Sequence, residues 1–131
     1  MTITHTVRQT WTSPNGSVDL NGVVSESANA ARDGQLAIAA TTADQQFDLD
    51  FLYAKLKSCF LLSTIGCTIE TNATDHAGGN IITLVANIPY YWCNSSGITC
   101  PFTANVTTIY VTPEGAVAGT LDYRLLVDTT T

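Results

Sequence analysis

The sequence predicts an all-β fold: one β-sandwich or jelly roll of about eight short antiparallel strands, with little or no helix. Three observations predict it. Runs rich in Val, Ile, Thr, Tyr and Phe recur about every 8–12 residues, separated by Gly, Pro, Asn and Asp. Several runs alternate apolar and polar residues with the period of two that a half-buried strand requires. No internal repeat, linker or composition shift divides the 131 residues, so residues 1–131 form one domain. A chain of that length buries roughly two-thirds of its unfolded surface without staples.

In chain order, residues 2–12 place Ile3, His5, Val7, Gln9 and Trp11 on one face and four threonines with Arg8 on the other. Ser13-Pro14-Asn15-Gly16 is turn chemistry, and residues 17–24 return as the second strand of an N-terminal hairpin. Residues 25–34 are weak, and fit one helical turn or a loop ending at Asp33-Gly34. Residues 36–42 suit an edge strand of small side chains. Residues 47–51 alternate most clearly, with Phe47, Leu49 and Phe51 inward and Asp48 and Asp50 outward. A short turn or wide connection follows at residues 53–58. Residues 59–63 and 68–72 then read as a hairpin about Ile65-Gly66, and residues 73–80 as an exposed loop.

The run from Ile81 to Cys93 organises the chain: nearly continuous strand formers, one proline, then Tyr90-Tyr91-Trp92. It reads as a strand buried on both faces that must stop, bulge or reach an edge at Pro89, which has no N–H to give. Consecutive tyrosines point to opposite faces, so one ring should approach solvent or a partner. Residues 106–112 form another strand, Pro113-Glu114-Gly115 turns it, and residues 120–127 close the set.

Only 12% of residues are charged, about half the usual share, and the formal net charge is −6. The five cations Arg8, Arg32, Lys55, Lys57 and Arg124 form no cluster. Nucleic-acid binding needs one, so that class is set aside. No apolar segment approaches the ~20 residues of a membrane span, and the N-terminus lacks the pattern of a signal peptide. A surface covered by hydroxyls and amides is easier to desolvate than an ionic one. That favours a chain packed against copies or companions.

No catalytic signature accompanies these strands. Asp48 and Asp50 stand about 7 Å apart on one strand face, but calcium wants six to eight oxygens, usually from a loop. Asp75-His76 has no nucleophile in matching context. The gaps Cys59-x7-Cys67 and Cys93-x6-Cys100 are too long for zinc, so no metal or cofactor is expected. Two readings of the thiols stay open: four small buried apolar groups, or a disulfide joining Cys93 and Cys100 across their loop. Trp11, Tyr90, Tyr91, Trp92 and Tyr110 are the expected core or interface anchors. The aromatic triplet beside an Asn/Ser/Gly loop also suits sugar stacking. Glycosylation sequons at Asn15, Asn72, Asn94 and Asn105 are read as incidental.

Phe47-Asp48-Leu49-Asp50-Phe51, then Leu56-Lys57-Ser58-Cys59-Phe60-Leu61-Leu62 and Thr68-Ile69-Glu70-Thr71-Asn72, lead to the strand ending in Tyr91-Trp92. Asn105-Val106-Thr107-Thr108-Ile109-Tyr110-Val111-Thr112 and a final Leu125-Leu126-Val127-Asp128 complete the pattern. This layout resembles small β-sandwich virion proteins of tailed bacteriophages that decorate or cement capsids. The resemblance implies a non-enzymatic virion component, trimeric or otherwise multimeric, whose partners are itself and the major capsid or another virion protein. It carries over no site residues. A carbohydrate- or receptor-binding tail module and a tail-tube or baseplate subunit are the alternatives.

Overall fold

The computed structural model describes residues 2–13, 16–74 and 79–129, excepting the side chains of residues 7–27. Among the described residues ten strands follow one another: β1 Ile3–Ser13, β2 Gly16–Ala28, β3 Ala30–Ile38, β4 Gln45–Phe47 and β5 Leu56–Ser63, then β6 Cys67–Thr71, β7 Ile81–Leu84, β8 Tyr90–Cys93, β9 Ile109–Pro113 and β10 Gly119–Val127. Helix is confined, among the described residues, to single 3-10 turns at Tyr53–Lys55 and Asn94–Ser96. The all-β expectation therefore holds.

Strands β3 to β10 build two four-stranded antiparallel sheets, ordered β3-β10-β5-β8 and β4-β9-β6-β7. Successive strands from β3 to β6 and from β7 to β10 switch sheets each time, and only β6 and β7 follow one another within a sheet. That is the connectivity of a jelly roll, two Greek keys wound together. The inner faces meet in one core that includes Ile38, Cys59, Leu61, Ile69, Leu84, Val111, Leu121 and Leu125. Phe51 and Phe102 meet edge-on inside it, with centroids 5.0 Å apart.

One irregularity protects that core. Strict alternation from Leu61 and Cys59 would turn Lys57 inward. Between the pairs Leu126↔Ser58 and Val127↔Leu56 the register shifts, and β5 holds Lys57 as an extra residue. Leu56 takes the inward place and is 3% exposed.

Strands β1 and β2 form a separate two-stranded sheet, with Ile3↔Ala28 at its root and Ser13↔Gly16 at its far end. The N-terminal hairpin is thus present, with β2 longer than residues 17–24. Strand β2 packs against β5, β10 and the Asn94–Ser96 turn. His5 Nδ1 lies 3.1 Å from Ser58 Oγ. Leu126, Ser58 and Cys93 are neighbours in register across β10, β5 and β8. All three are buried, yet Leu126 and Cys93 stand outside the central core cluster. The hairpin root seals this second, outer layer.

Four expectations are corrected. Residues 25–28 end β2, paired with β1 from Thr6↔Ser25 to Ile3↔Ala28, and Asn29 is a bend. Residues 30–34 open β3, whose pairing along β10 from Val127↔Ala30 to Gly119↔Ile38 overrides their weak propensity. Gly34 faces Tyr123 there, and a Cβ would stand 2.5 Å from its Oη. Residues 59–63 and 68–72 are not a paired hairpin, since β5 and β6 belong to opposite sheets. The Ser63 hydroxyl donates to Ile65 O and accepts from Ile65 N, turning the chain across the sandwich instead. Residues 81–93 are two strands, and β7 is half-buried: Ile82 and Leu84 face the core while Ile81 and Thr83 are exposed. Only Phe47 of the 47–51 run is strand, the last residue of β4, although the run's alternation of burial continues through Phe51, which bridges to Val106.

Candidate interaction surface

The space left between Leu61, Ile69, Ile82, Leu121 and Leu125 is about 20 Å³ and apolar throughout. Among the described residues, no three His, Cys, Asp or Glu side chains converge on one point. Asp75 and His76 lie outside the described residues.

A shallow cleft of about 380 Å³ opens at the end of the sandwich where β10 finishes. Phe51, Val106 and Val127 line it together with Arg32, Lys55, Asp50 and Asp128. Its neutral polar groups are engaged in holding loops together. Asn105 Oδ1 accepts from Tyr53 N at 3.2 Å, and Asn72 Oδ1 accepts from Thr107 N at 2.9 Å. Asn72 also donates from Nδ2 to Asn105 O at 2.8 Å. Two sequon asparagines, Asn72 and Asn105, are thereby loop clamps.

The four cysteines are free. The Cys93–Cys100 bridge is not formed, for a topological reason. Cys93 lies in the outer layer under the hairpin, whereas Cys100 packs against the central core on the other side of β8. Burial, and then the nearby Cys100, push the Cys59 thiol from 9.0 to about 12. Burial first, then the Ser63 hydrogen bond in the opposite sense, leaves Cys67 raised as well. These thiols are packing groups, not nucleophiles.

The expected aromatic anchors fall into separate places. Trp92 is 6% exposed, part of the core, and donates from Nε1 to Ile98 O at 2.9 Å, which ties the long β8–β9 loop to β8. Tyr90 is half-buried against the same core, and burial raises its hydroxyl above the ordinary value, helped by Cys59 and Cys100. Tyr91 pairs with Phe60 on the opposite face of that sheet. The two tyrosines do point to opposite sides, and the triplet does not form one stacking platform. Tyr110 is half-buried on β9, in register between Gln46 and Glu70. The Trp11 side chain lies outside the described residues, although its backbone pairs with Val18.

The surface that stands out is aliphatic. Residues 76–113 contain no Asp, Glu, Lys or Arg. This stretch supplies β7, an edge of one sheet, and β8, the edge of the other on the same flank. Ile81, Val85, Ile88 and Ile98 are each between 46% and 69% exposed along it. Asn87, at φ 60°, turns the chain between the two edges, and its N–H donates to Ser63 O at 2.7 Å. The opposite flank, β3 and β4, exposes Arg32, Asp33, Gln35, Gln46 and the adjoining Asp48. Attention to aromatics misses the aliphatic flank. The signal for it was the length of sequence without an ion.

No family model matches the chain, and no curated protein matches it. Among solved structures, the cupin domain of Cnp3 from Schizosaccharomyces pombe aligns with 95% of this chain and 85% of its own. The identity is 13% and the TM-score 0.38, a level at which nothing about activity transfers.

Proposed function

We propose that this chain is a non-enzymatic structural subunit, a decoration or cement protein that works in many copies on a virion shell. The observation that carries the proposal is the uncharged flank. A surface with four exposed aliphatic side chains and no ion loses little on desolvation and gains from every apolar contact. The filled interior supports the same reading, because rigidity suits a building part and leaves little space for a substrate. Repetition over a lattice multiplies modest contacts, and binding to the assembled shell alone stabilises it. The dispersed rings of Tyr90, Tyr91 and Trp92 weigh against a stacked-sugar module.

Density-gradient fractionation of particles from the producing cells, followed by quantitative peptide mass spectrometry, tests this. The chain should travel with shell-sized particles in many copies per particle. Its confinement to the low-mass soluble fraction would overturn the proposal. A tail subunit would instead follow tubes or baseplates, distinguishable by negative-stain microscopy of the same fractions.

A further inference from the structure

The uncharged flank includes a sheet edge that has no charge, proline or bulge among its described residues. Strand β7 pairs with β6 on one side, Ile69↔Ile82 and Thr68↔Thr83 among the rungs, and, among the described residues, with no strand on the other. Natural edges are blunted by Lys, Pro, a bulge or a covering segment. Strand β7 has no charge, no proline and an unbroken register with β6. Beyond it the exposed Val85 and Ile88 prolong the apolar strip.

We infer that β7 pairs antiparallel with β7 of a second copy across a two-fold axis. The two β4-β9-β6-β7 sheets then continue into one another, with Ile81, Val85 and Ile88 packed beside the seam. This deepens the proposed function by naming the partner on the flank, and rests on it only for its biological setting.

Charge selects a second copy over another partner. Each copy carries a formal −6, so two copies repel wherever carboxylates meet. Strands β7 and β8 and the turn between them carry no ion, so copies can touch there without bringing their own charges together. The nearest carboxylate in the ladder is Glu70, beside Ile81 on β6, and it is 8% exposed. A basic partner would be drawn to the acidic remainder of the surface instead. Four residues of strand supply few backbone bonds, so the aliphatic side chains provide the remaining contact. Such an isologous seam is closed and does not propagate into fibres.

Sedimentation velocity on the full chain, from micromolar to millimolar, tests the seam. Wild type should show a concentration-dependent dimer. In the register that sets Thr83 opposite Thr83 at the axis, Thr83→Lys brings like charges together and should weaken the dimer at least about tenfold. Its circular dichroism should be unchanged, because Thr83 is exposed. Gln35→Lys, on the opposite edge, should leave dimerisation as in wild type. Thr83→Cys should oxidise to an intermolecular disulfide, since paired strands bring Cα atoms within bridging range. A wild-type chain that stays monomeric throughout, or a dimer broken by Gln35→Lys and indifferent to Thr83→Lys, would overturn the inference. A β7 dimer that never travels with shells removes the proposed function and leaves the seam. Copies found on shells but monomeric in solution do the reverse.

Discussion

The two flanks of the sandwich share a fold and differ in chemistry. On one side β3 and β4 expose Arg32, Asp33, Gln35 and Gln46; on the other β7, β8 and the turn between them expose Ile81, Val85 and Ile88. Both are sheet edges, so both present unpaired backbone groups. Only the first carries the guard that keeps an edge solitary. The difference teaches that ion poverty in this protein is local. Charge is present along β3 and beside β4, and absent from β7, β8 and the turn between them.

The largest effect should come from breaking the uncharged flank at its root. Trp92→Ala removes a core ring and the indole N–H that holds Ile98 O. Loss of a buried aromatic of this size typically costs about 3–5 kcal/mol. Urea denaturation should show a loss in that range, together with early proteolysis in the β8–β9 loop. A change under about 1 kcal/mol would mean that β8 is held without its tryptophan.

Cys59 stands opposite Trp92 in the β5–β8 ladder and sharpens the comparison through pH. Its folded-state pKa is about 12 against an ordinary 9.0. Above the ordinary value an unfolded thiol releases its proton while the folded one retains it, so the folded state binds more protons. Stability contributed by the neutral thiol is complete below pH 9.0 and declines as pH rises toward about 12. Cys59→Ala should lower stability at neutral pH by leaving a small cavity, and should flatten this alkaline decline. An alkaline limb of unchanged slope would place its cause elsewhere.

The guarded flank should prove the more forgiving. Gly34→Val on β3 drives a side chain into the Tyr123 ring, which must swing aside. Overpacking of this kind typically costs about 1–3 kcal/mol. Gly34→Ser should cost less, since it adds less volume. Equal losses for both would show that the ring cannot move.

How much of this was legible beforehand follows from which forces are local. Alternation marked β1 and set inward Phe47, Leu49 and Phe51, because a pleat exposes every second residue to one environment. Pro113-Glu114-Gly115 ended β9 by turn chemistry that needs no tertiary partner. Sheet membership was not legible. Ser63-Thr64-Ile65-Gly66 serves equally for a hairpin and for a crossing between sheets. The choice is made by distant groups, Thr64 N–H donating to Thr120 O and Glu114 N–H to Gly66 O, each at 3.0 Å. Strand β3 was hidden for the same reason, its pairing with β10 lying some ninety residues away in sequence. The candidate surface was half legible. Its scarcity of charge showed in the composition, but Ile81 and Thr83 looked buried because an apolar run does not declare which of its residues end up at an edge.

The smallest effect is also the most discriminating between the flanks. Contacts made through Arg32 and Asp33 would weaken as salt screens them, with a Debye length falling from ~10 Å at 0.1 M to ~3 Å at 1 M. Contacts through Ile81, Val85 and Ile88 contain no pair to screen. There, added salt acts only on the mutual repulsion of two chains at −6 each. Self-association through β7 should therefore strengthen slightly, by less than about threefold, when sodium chloride rises from ~0.1 M to ~1 M. Sedimentation equilibrium at the two concentrations reads the sign directly. Weakening with salt would assign the contact to the charged edge, and the contrast between the flanks would then have to be read the other way round.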